Sequence, residues 1–254
     1  MDEPTSRQHF DELVAQAQSL QFSGWDFSFM SERWRESDLT WNYDQIVRSR
    51  FAHASSLLDM GTGGGERLSA LQLLPSLTCA TEDYPPNVPV AQARLAPLGV
   101  ALVEAAPGDR LPFADGAFEL VINRHSSYSP PEVYRILRPG GSFITQQVGG
   151  QNNVQLNALL GSAPFPFHDW TVANASHALA QAGLAIADQR EEFPQTVFAD
   201  IGAVVFYLRI ISWQIPGFSV EAYHDRLWAL HQRMQEQGRL VIESHRFLIE
   251  ARKH

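Results

Sequence analysis

Cysteine is almost missing from this chain. Cys79 is the single one in 254 residues, which excludes an intrachain disulfide and a cysteine-based zinc site. It also suits a reducing compartment, so a cytoplasmic location is expected. Basic residues are scarce too: 19 Lys and Arg stand against 28 Asp and Glu, for a net charge of −9. An acidic surface repels phosphate backbones, and the densest basic stretch is the short tail Arg252, Lys253, His254. Nucleic acid is therefore not an expected partner. Uncharged apolar runs of about 18 residues, the length a membrane span needs, do not occur. The longest apolar stretch lies near Ile201 to Trp213 and is interrupted by Arg209. Met1 to Leu20 is polar and acidic, without the basic-then-apolar order of a secretory signal. His224, His231 and His245 are scattered with no ligand spacing, so no metal is expected.

What the chain does have is a 44% apolar content, ample for one large α/β domain with additions. Phe10, Leu13, Val14 and Ala17 fall at helical spacing and predict an amphipathic helix over 7–20. The aromatic segment Phe22 to Tyr43, with Trp25, Phe27, Phe29, Trp34, Trp41 and Tyr43, has no clear period and reads as helical turns and loop, packed core or a lid. A short helix is expected over Asp44 to Phe51. Strands and helices then alternate. Strands are expected at 56–60, 76–81, 100–104, 118–122 and 142–148, and helices at 66–74, 89–96 and 130–137. This βα alternation predicts a mostly parallel sheet covered on both faces. Further on, Asp169 is placed to cap a helix ending at Gly183, and a strand follows at Leu184 to Gln189. Helices are expected over 201–213 and, capped by Ser219, to Gln237. Phe247-Leu248-Ile249 is read as a last, seventh strand. The chain thus divides into an N-terminal helical and aromatic extension (1–45), a ligand-binding core (46–150) and a C-terminal part with helical insertions (151–254), all within one domain.

The segment Leu57-Leu58-Asp59-Met60-Gly61-Thr62-Gly63-Gly64-Gly65-Glu66 is the most informative. A strand ends in an acid and then in glycines before a helix, the arrangement in which a ligand lies against bare main chain and meets unpaired N–H groups. A dinucleotide site wants G-x-G-x-x-G/A, but counting from Gly61 the sixth residue is Glu66, a carboxylate facing the pyrophosphate. A nucleoside with a cationic linker tolerates that acid.

Asp59-x-Gly61-x-Gly63-x-Gly65 resembles the first motif of class I S-adenosylmethionine-dependent methyltransferases. Other parts of that family's pattern follow in order. Glu82, in Ala80-Thr81-Glu82-Asp83, stands where such enzymes hold the ribose hydroxyls. Leu111-Pro112-Phe113-Ala114-Asp115-Gly116-Ala117-Phe118-Glu119-Leu120-Val121 is similar to the LPF-x-D-G-x-F-D-x-V segment, and Leu137-Arg138-Pro139-Gly140-Gly141 to the L-x-P-G-G turn. The resemblance implies a Rossmann-like α/β fold with a mostly parallel seven-stranded sheet, S-adenosylmethionine as cofactor, and methyl transfer. Its residues carry over as Asp59, Gly61, Thr62, Gly63, Gly65, Glu82, Arg110 and Asn123 for the cofactor. The family's adenine-binding Asp is replaced by Pro107, and Asp109 is the substitute, unless it is a solvated turn residue.

Asn123-Arg124-His125 ends the fourth strand, where open α/β sheets bind ligands. His125 is the candidate general base, with an ordinary pKa near 6.5, or else a residue that orders its loop. Arg124 is a candidate for an anionic acceptor group or the cofactor carboxylate, or else one half of a structural ion pair. Trp25 and His168 are further acceptor-side candidates, and Gln146 and Gln147 offer amides at the end of strand five. These residues point to a small-molecule methyltransferase. The alternatives are an RNA methyltransferase and a protein that binds the cofactor without catalysis.

Overall fold

A computed structural model describes residues 3–21, 30, 32–106, 108 and 110–254; Trp25 and Asp109 lie outside the described residues. The chain runs α1 (Glu3–Ser19), β1 (Trp34–Glu36), α2 (Tyr43–Phe51), β2 (Ser56–Met60), α3 (Glu66–Leu71), β3 (Leu77–Glu82), α4 (Val88–Leu95), β4 (Ala101–Glu104), β5 (Phe118–Arg124), α5 (Pro130–Ile136) and β6 (Leu137–Val148). It continues through α6 (Val154–Leu159), α7 (Val172–Gln181), β7 (Leu184–Glu192), β8 (Gln195–Phe198), α8 (Ile201–Ile210), α9 (Val220–Gln237), β9 (Leu240–Glu243) and β10 (Arg246–Lys253).

Seven strands form the expected α/β sheet in the order β4-β3-β2-β5-β6-β10-β7. β2 to β6 pair in parallel, while β10 enters antiparallel between β6 and β7. The order reverses between β2 and β5. β3 and β4 step away on one side and β6 on the other, so a crevice opens at the carboxyl ends of β2 and β5. β2 is buried along its whole length, which is why Leu57 and Leu58 are apolar on both faces instead of alternating with polar residues.

Side chains alternate between the two faces of the sheet. One face, with Leu58, Met60, Val121, Phe143 and Phe247, packs with Val133 and Ile136 of α5 and with Ala175 and Leu179 of α7. The other, with Leu57, Ile122, Ile144 and Leu248, packs with Val47, Leu68 and Leu95 of α2, α3 and α4. A third core lies beyond the sheet, where α1, α6, α8 and α9 enclose Phe10, Leu156, Val204, Phe206 and Leu227.

Several elements depart from the sequence reading. Trp34–Glu36, expected as turns or loop, is a strand in a second sheet of order β1-β8-β9. Its strands have three or four residues each, and such short runs carry no readable period until distant partners pair with them. Thr171, not Asp169, caps α7: its side chain accepts from the Asn174 N–H at 3.3 Å. α8 ends at Ile210, short of Trp213, and α6 is an additional helix. Ser219 caps α9 as expected, accepting from Ala222 N–H at 3.1 Å. No described helix is long and apolar enough to cross a membrane.

Candidate cofactor and acceptor cleft

The glycine loop begins where β2 stops. Gly61, Gly63 and Gly65 all have positive φ (69°, 64° and 77°), the conformation that disfavours residues with a Cβ. Gly61 is closed in further, because a Cβ there would overlap the Ser126 side chain from the β5 end. A side chain on Gly65 would come within 2.8 Å of Leu95 Cγ, so this glycine lets α3 approach α4. The loop is anchored to β3: Gly61 N–H donates to Thr81 Oγ1 at 3.2 Å, Thr62 N–H to the Thr81 carbonyl at 2.9 Å, and Gly63 N–H to Glu82 Oε2 at 2.6 Å.

Two buried carboxylates lie under this loop. Glu82 is 5% exposed, and besides Gly63 it accepts from the N–H groups of Asp83 at 3.2 Å and Tyr84 at 2.9 Å through Oε1. Asp59 is 8% exposed. Burial raises its carboxyl to about 6, with the Glu82 charge adding to the rise while Thr62, Arg67 and Arg124 oppose it. Thr62 is buried in the same loop. Two acids beside a glycine turn disfavour a pyrophosphate and fit a ribose diol joined to a cationic group.

At the end of β5, Asn123 is fully buried and its amide is engaged within the protein. Its Nδ2 donates to the Met60 carbonyl at 3.1 Å, and its Oδ1 accepts from Thr145 Oγ1 at 3.0 Å and Gln147 Nε2 at 2.6 Å. Asn123 thus ties β2 to β6 below the crevice. His125 follows with φ +59°, an uncommon conformation for a residue with a side chain. The residue is exposed at the strand end. Desolvation first, then the charges of Arg124, Arg246 and Arg67, hold its pKa well below the ordinary value. The ring is neutral at pH 7.

The segment 34–43 closes over this end of the sheet. Trp41 Nε1–H donates to Gln146 Oε1 at 2.9 Å, Tyr43 O–H donates to the Asn123 carbonyl at 3.2 Å, and Arg246 donates to Glu36 and, at 2.6 Å, to Asn152 Oδ1. Trp41 and Tyr43 are buried, so they are walls of the cleft as well as core. His168, by contrast, is exposed beside Asp169, with its ring 3.1 Å from that carboxylate. Arg110 is exposed, and its charge acts on Asp115 and Glu132, the carboxylates that hold Arg135. Among the described residues no group of three or more His, Cys, Asp or Glu assembles as a metal site. Ser126, Glu36 and Arg246 were not signalled by any motif. Ser126 follows directly on Asn123-Arg124-His125, but Arg246 arrives only through the antiparallel pairing of β10.

A parallel sheet with a switch point, a glycine turn and two acids beneath it define a Rossmann-like nucleoside-cofactor fold. Residues 58–145 match the family described as methyltransferase domain, a span that holds Asp59, the glycine loop, Glu82 and both later motifs. Over that span the chain is similar to methyltransferase domains. Among curated proteins, none matches the chain. Solved structures share the fold at low identity. The YcgJ protein from Bacillus subtilis is 16% identical, with 84% of this chain and 98% of that one covered and a TM-score of 0.57. The [4+2]-cyclase SpnF is 15% identical over 98% and 94%, at 0.54. Geranyl diphosphate methyltransferase in complex with GPP and sinefungin is 16% identical over 83% and 77%, at 0.50.

Proposed function

We propose that this protein transfers a methyl group from S-adenosylmethionine to a small-molecule acceptor bound between the carboxyl ends of β5 and β6 and the segment 34–43. The observation that carries this reading is the cover that this segment places over the β5 and β6 ends through Trp41, Tyr43 and Glu36, which favours a small ligand over a polymer. The net charge of −9 supports the same choice over RNA.

Gly61, Thr62, Gly63 and Gly65 would form the loop against the cofactor, Glu82 would take the ribose hydroxyls, and Asp59 would lie toward the cationic amino-acid end. When bound, the sulfonium supplies an activated methyl group that needs no metal. The chain's own contribution is to align the acceptor in line with that methyl and to exclude water. Trp25, Asp109, Arg110 and His168 remain proposed contacts at the cofactor and acceptor sides.

Calorimetry tests the cofactor half. S-adenosylmethionine should bind the wild type, and Glu82→Gln should weaken it by about 1.5–3 kcal/mol, the range for a hydrogen bond to a charged group. The glutamine keeps one acceptor oxygen, enough for either Gly63 N–H or the Asp83 and Tyr84 N–H groups, and sets its NH2 against the other, so the change in melting temperature measures the loop's share of the effect and binding lost beyond it reports the ribose contact. Glu82→Ala would also release the glycine loop. Steep salt dependence of binding to bulk RNA would favour a polymer acceptor instead.

A further inference from the structure

The acceptor side of the cleft holds a cation without a counter-ion among the described residues. Acidic residues outnumber basic ones 28 to 19 in this chain, yet Arg124 makes no ion pair or hydrogen bond with any described residue, and its Nε is enclosed without a partner. The neighbouring cations are paired, Arg67 to Asp44 at 2.6 Å and Arg246 to Glu36. Burial, and after it the Arg67 charge, brings the Arg124 pKa down to about 10, so the group stays charged at pH 7 against a penalty. A crowded, unpaired guanidinium destabilises the fold, which makes it a residue kept for a ligand.

Beside it, the fold sets the proton on His125. An indole N–H only donates, so Trp41 orients the Gln146 amide with Oε1 toward itself. Gln146 Nε2, the donor end, then lies 3.3 Å from His125 Nε2. His125 Nε2 must accept, and the proton of the neutral ring sits on Nδ1. The lone pair a general base would use is thus engaged, and the free nitrogen is a donor. Consecutive strand residues project to opposite faces, but the left-handed backbone at His125 breaks that alternation. Its ring reaches Gln146, the register partner of Arg124, on the face Arg124 occupies. The charged groups acting on the ring are Arg124, Arg246 and Arg67, all cations.

We propose that Arg124 and the His125 Nδ1–H together hold a carboxylate of the acceptor, so that the substrate is a small carboxylic acid. This rests on the methyltransferase reading above and replaces the general-base role of His125 with that of a hydrogen-bond donor. The cofactor also carries a carboxylate, and the test separates the two sources.

Calorimetry with S-adenosylhomocysteine and with 5′-methylthioadenosine, which lacks the aminoacyl group, is done first on wild type and Arg124→Gln. The S-adenosylhomocysteine-saturated protein is then titrated with short aliphatic mono- and dicarboxylates and benzoates, each beside its primary amide. At least one acid should bind about tenfold or more tighter than its amide, and Arg124→Gln should abolish that preference while keeping S-adenosylhomocysteine affinity within about threefold. The melting temperature of Arg124→Gln should be equal or higher, because an unpaired charge is removed. His125→Asn, which keeps an N–H near the Nδ1 position, should retain acid binding that His125→Ala loses. Several results overturn the inference: acids and amides binding alike, a lowered melting temperature in Arg124→Gln, or equal loss in His125→Asn and His125→Ala. Weakened S-adenosylhomocysteine with unchanged 5′-methylthioadenosine would assign Arg124 to the cofactor carboxylate instead. If the folded chain binds no S-adenosylhomocysteine, the methyltransferase reading fails first, and this inference with it.

Discussion

Asp59 is placed to couple the proposed cofactor binding to pH. Its carboxyl titrates near 6 in the fold against 3.8 for an ordinary aspartate, mainly through burial. Between those values the folded chain holds a proton that the unfolded chain has released. This contribution to stability is therefore present at low pH and is lost as pH rises through about 6. A cationic group placed beside Asp59 favours the carboxylate, so cofactor binding below that point should release a proton. The dissociation constant of S-adenosylmethionine should accordingly fall by up to about tenfold from pH 5 to pH 7 and level off above. Calorimetry across that range checks the slope, and Asp59→Asn should flatten it. Asp59 and the glycines were legible in the sequence because a strand, an acid and a glycine run are local features. The tautomer of His125 was not, since it depends on Trp41 and Gln146, residues far apart in sequence that meet only in the fold.

Among the elements, α8 depends most on a single side chain. Ile201 to Leu208 are all buried, so the helix has no wet face on which its first N–H groups could find water. Asp200 supplies the missing acceptor, taking the Ala203 N–H at 2.9 Å. It is itself held by Arg33, which donates from Nε at 2.7 Å and from a terminal nitrogen at 2.6 Å. Burial works against this carboxylate, but Arg33 and the helix N–H groups prevail and keep its pKa below the ordinary value. Asp200→Ala removes both the cap and the counter-ion and should destabilise the protein by about 1–3 kcal/mol in urea unfolding. Asp200→Asn, which can still cap, should lose less. Because the folded pKa is depressed, this stabilisation is full above about pH 4 and disappears as pH falls further. Sequence periodicity found α8 but misplaced its end, and it misassigned the cap of α7. A polar residue near a helix start is legible, whereas which of two neighbours turns its side chain to the N–H groups depends on backbone angles.

Across the molecule, the two sheets are one bent ribbon. β7 passes into β8 through Phe193 and Pro194, and β9 into β10 through Ser244 and His245, with Glu192 opposite Arg246 and Gln195 opposite Glu243 on either side of the bend. Ser244 N–H donates to the Pro194 carbonyl at 2.8 Å within it. His245 is fully buried there, with Nε2 2.9 Å from Glu191 Oε1 and Nδ1 accepting from Gln151 N–H at 3.2 Å. The ribbon carries β8 out to receive β1, and β1 in turn leads into the segment that roofs the cleft. Continuity of this kind predicts that the helical annex and the seven-stranded core unfold together. Hydrogen exchange should therefore give amides of β8 and β9 the same free energy of opening as those of β7 and β10, and a lower value for β8 and β9 would show an independently melting annex. The order of strand, glycine turn, acid and helix along the first 150 residues was determined by the sequence itself, because each signal is local: periodicity, a turn residue, an acid at a strand end. Only the tertiary structure decided that short, unpatterned strands join into the second sheet, that Arg246 lies near His125, and that Arg124 has no ion-pair partner among the described residues. Those outcomes depend on which distant segments come together, and neither propensity nor spacing encodes that.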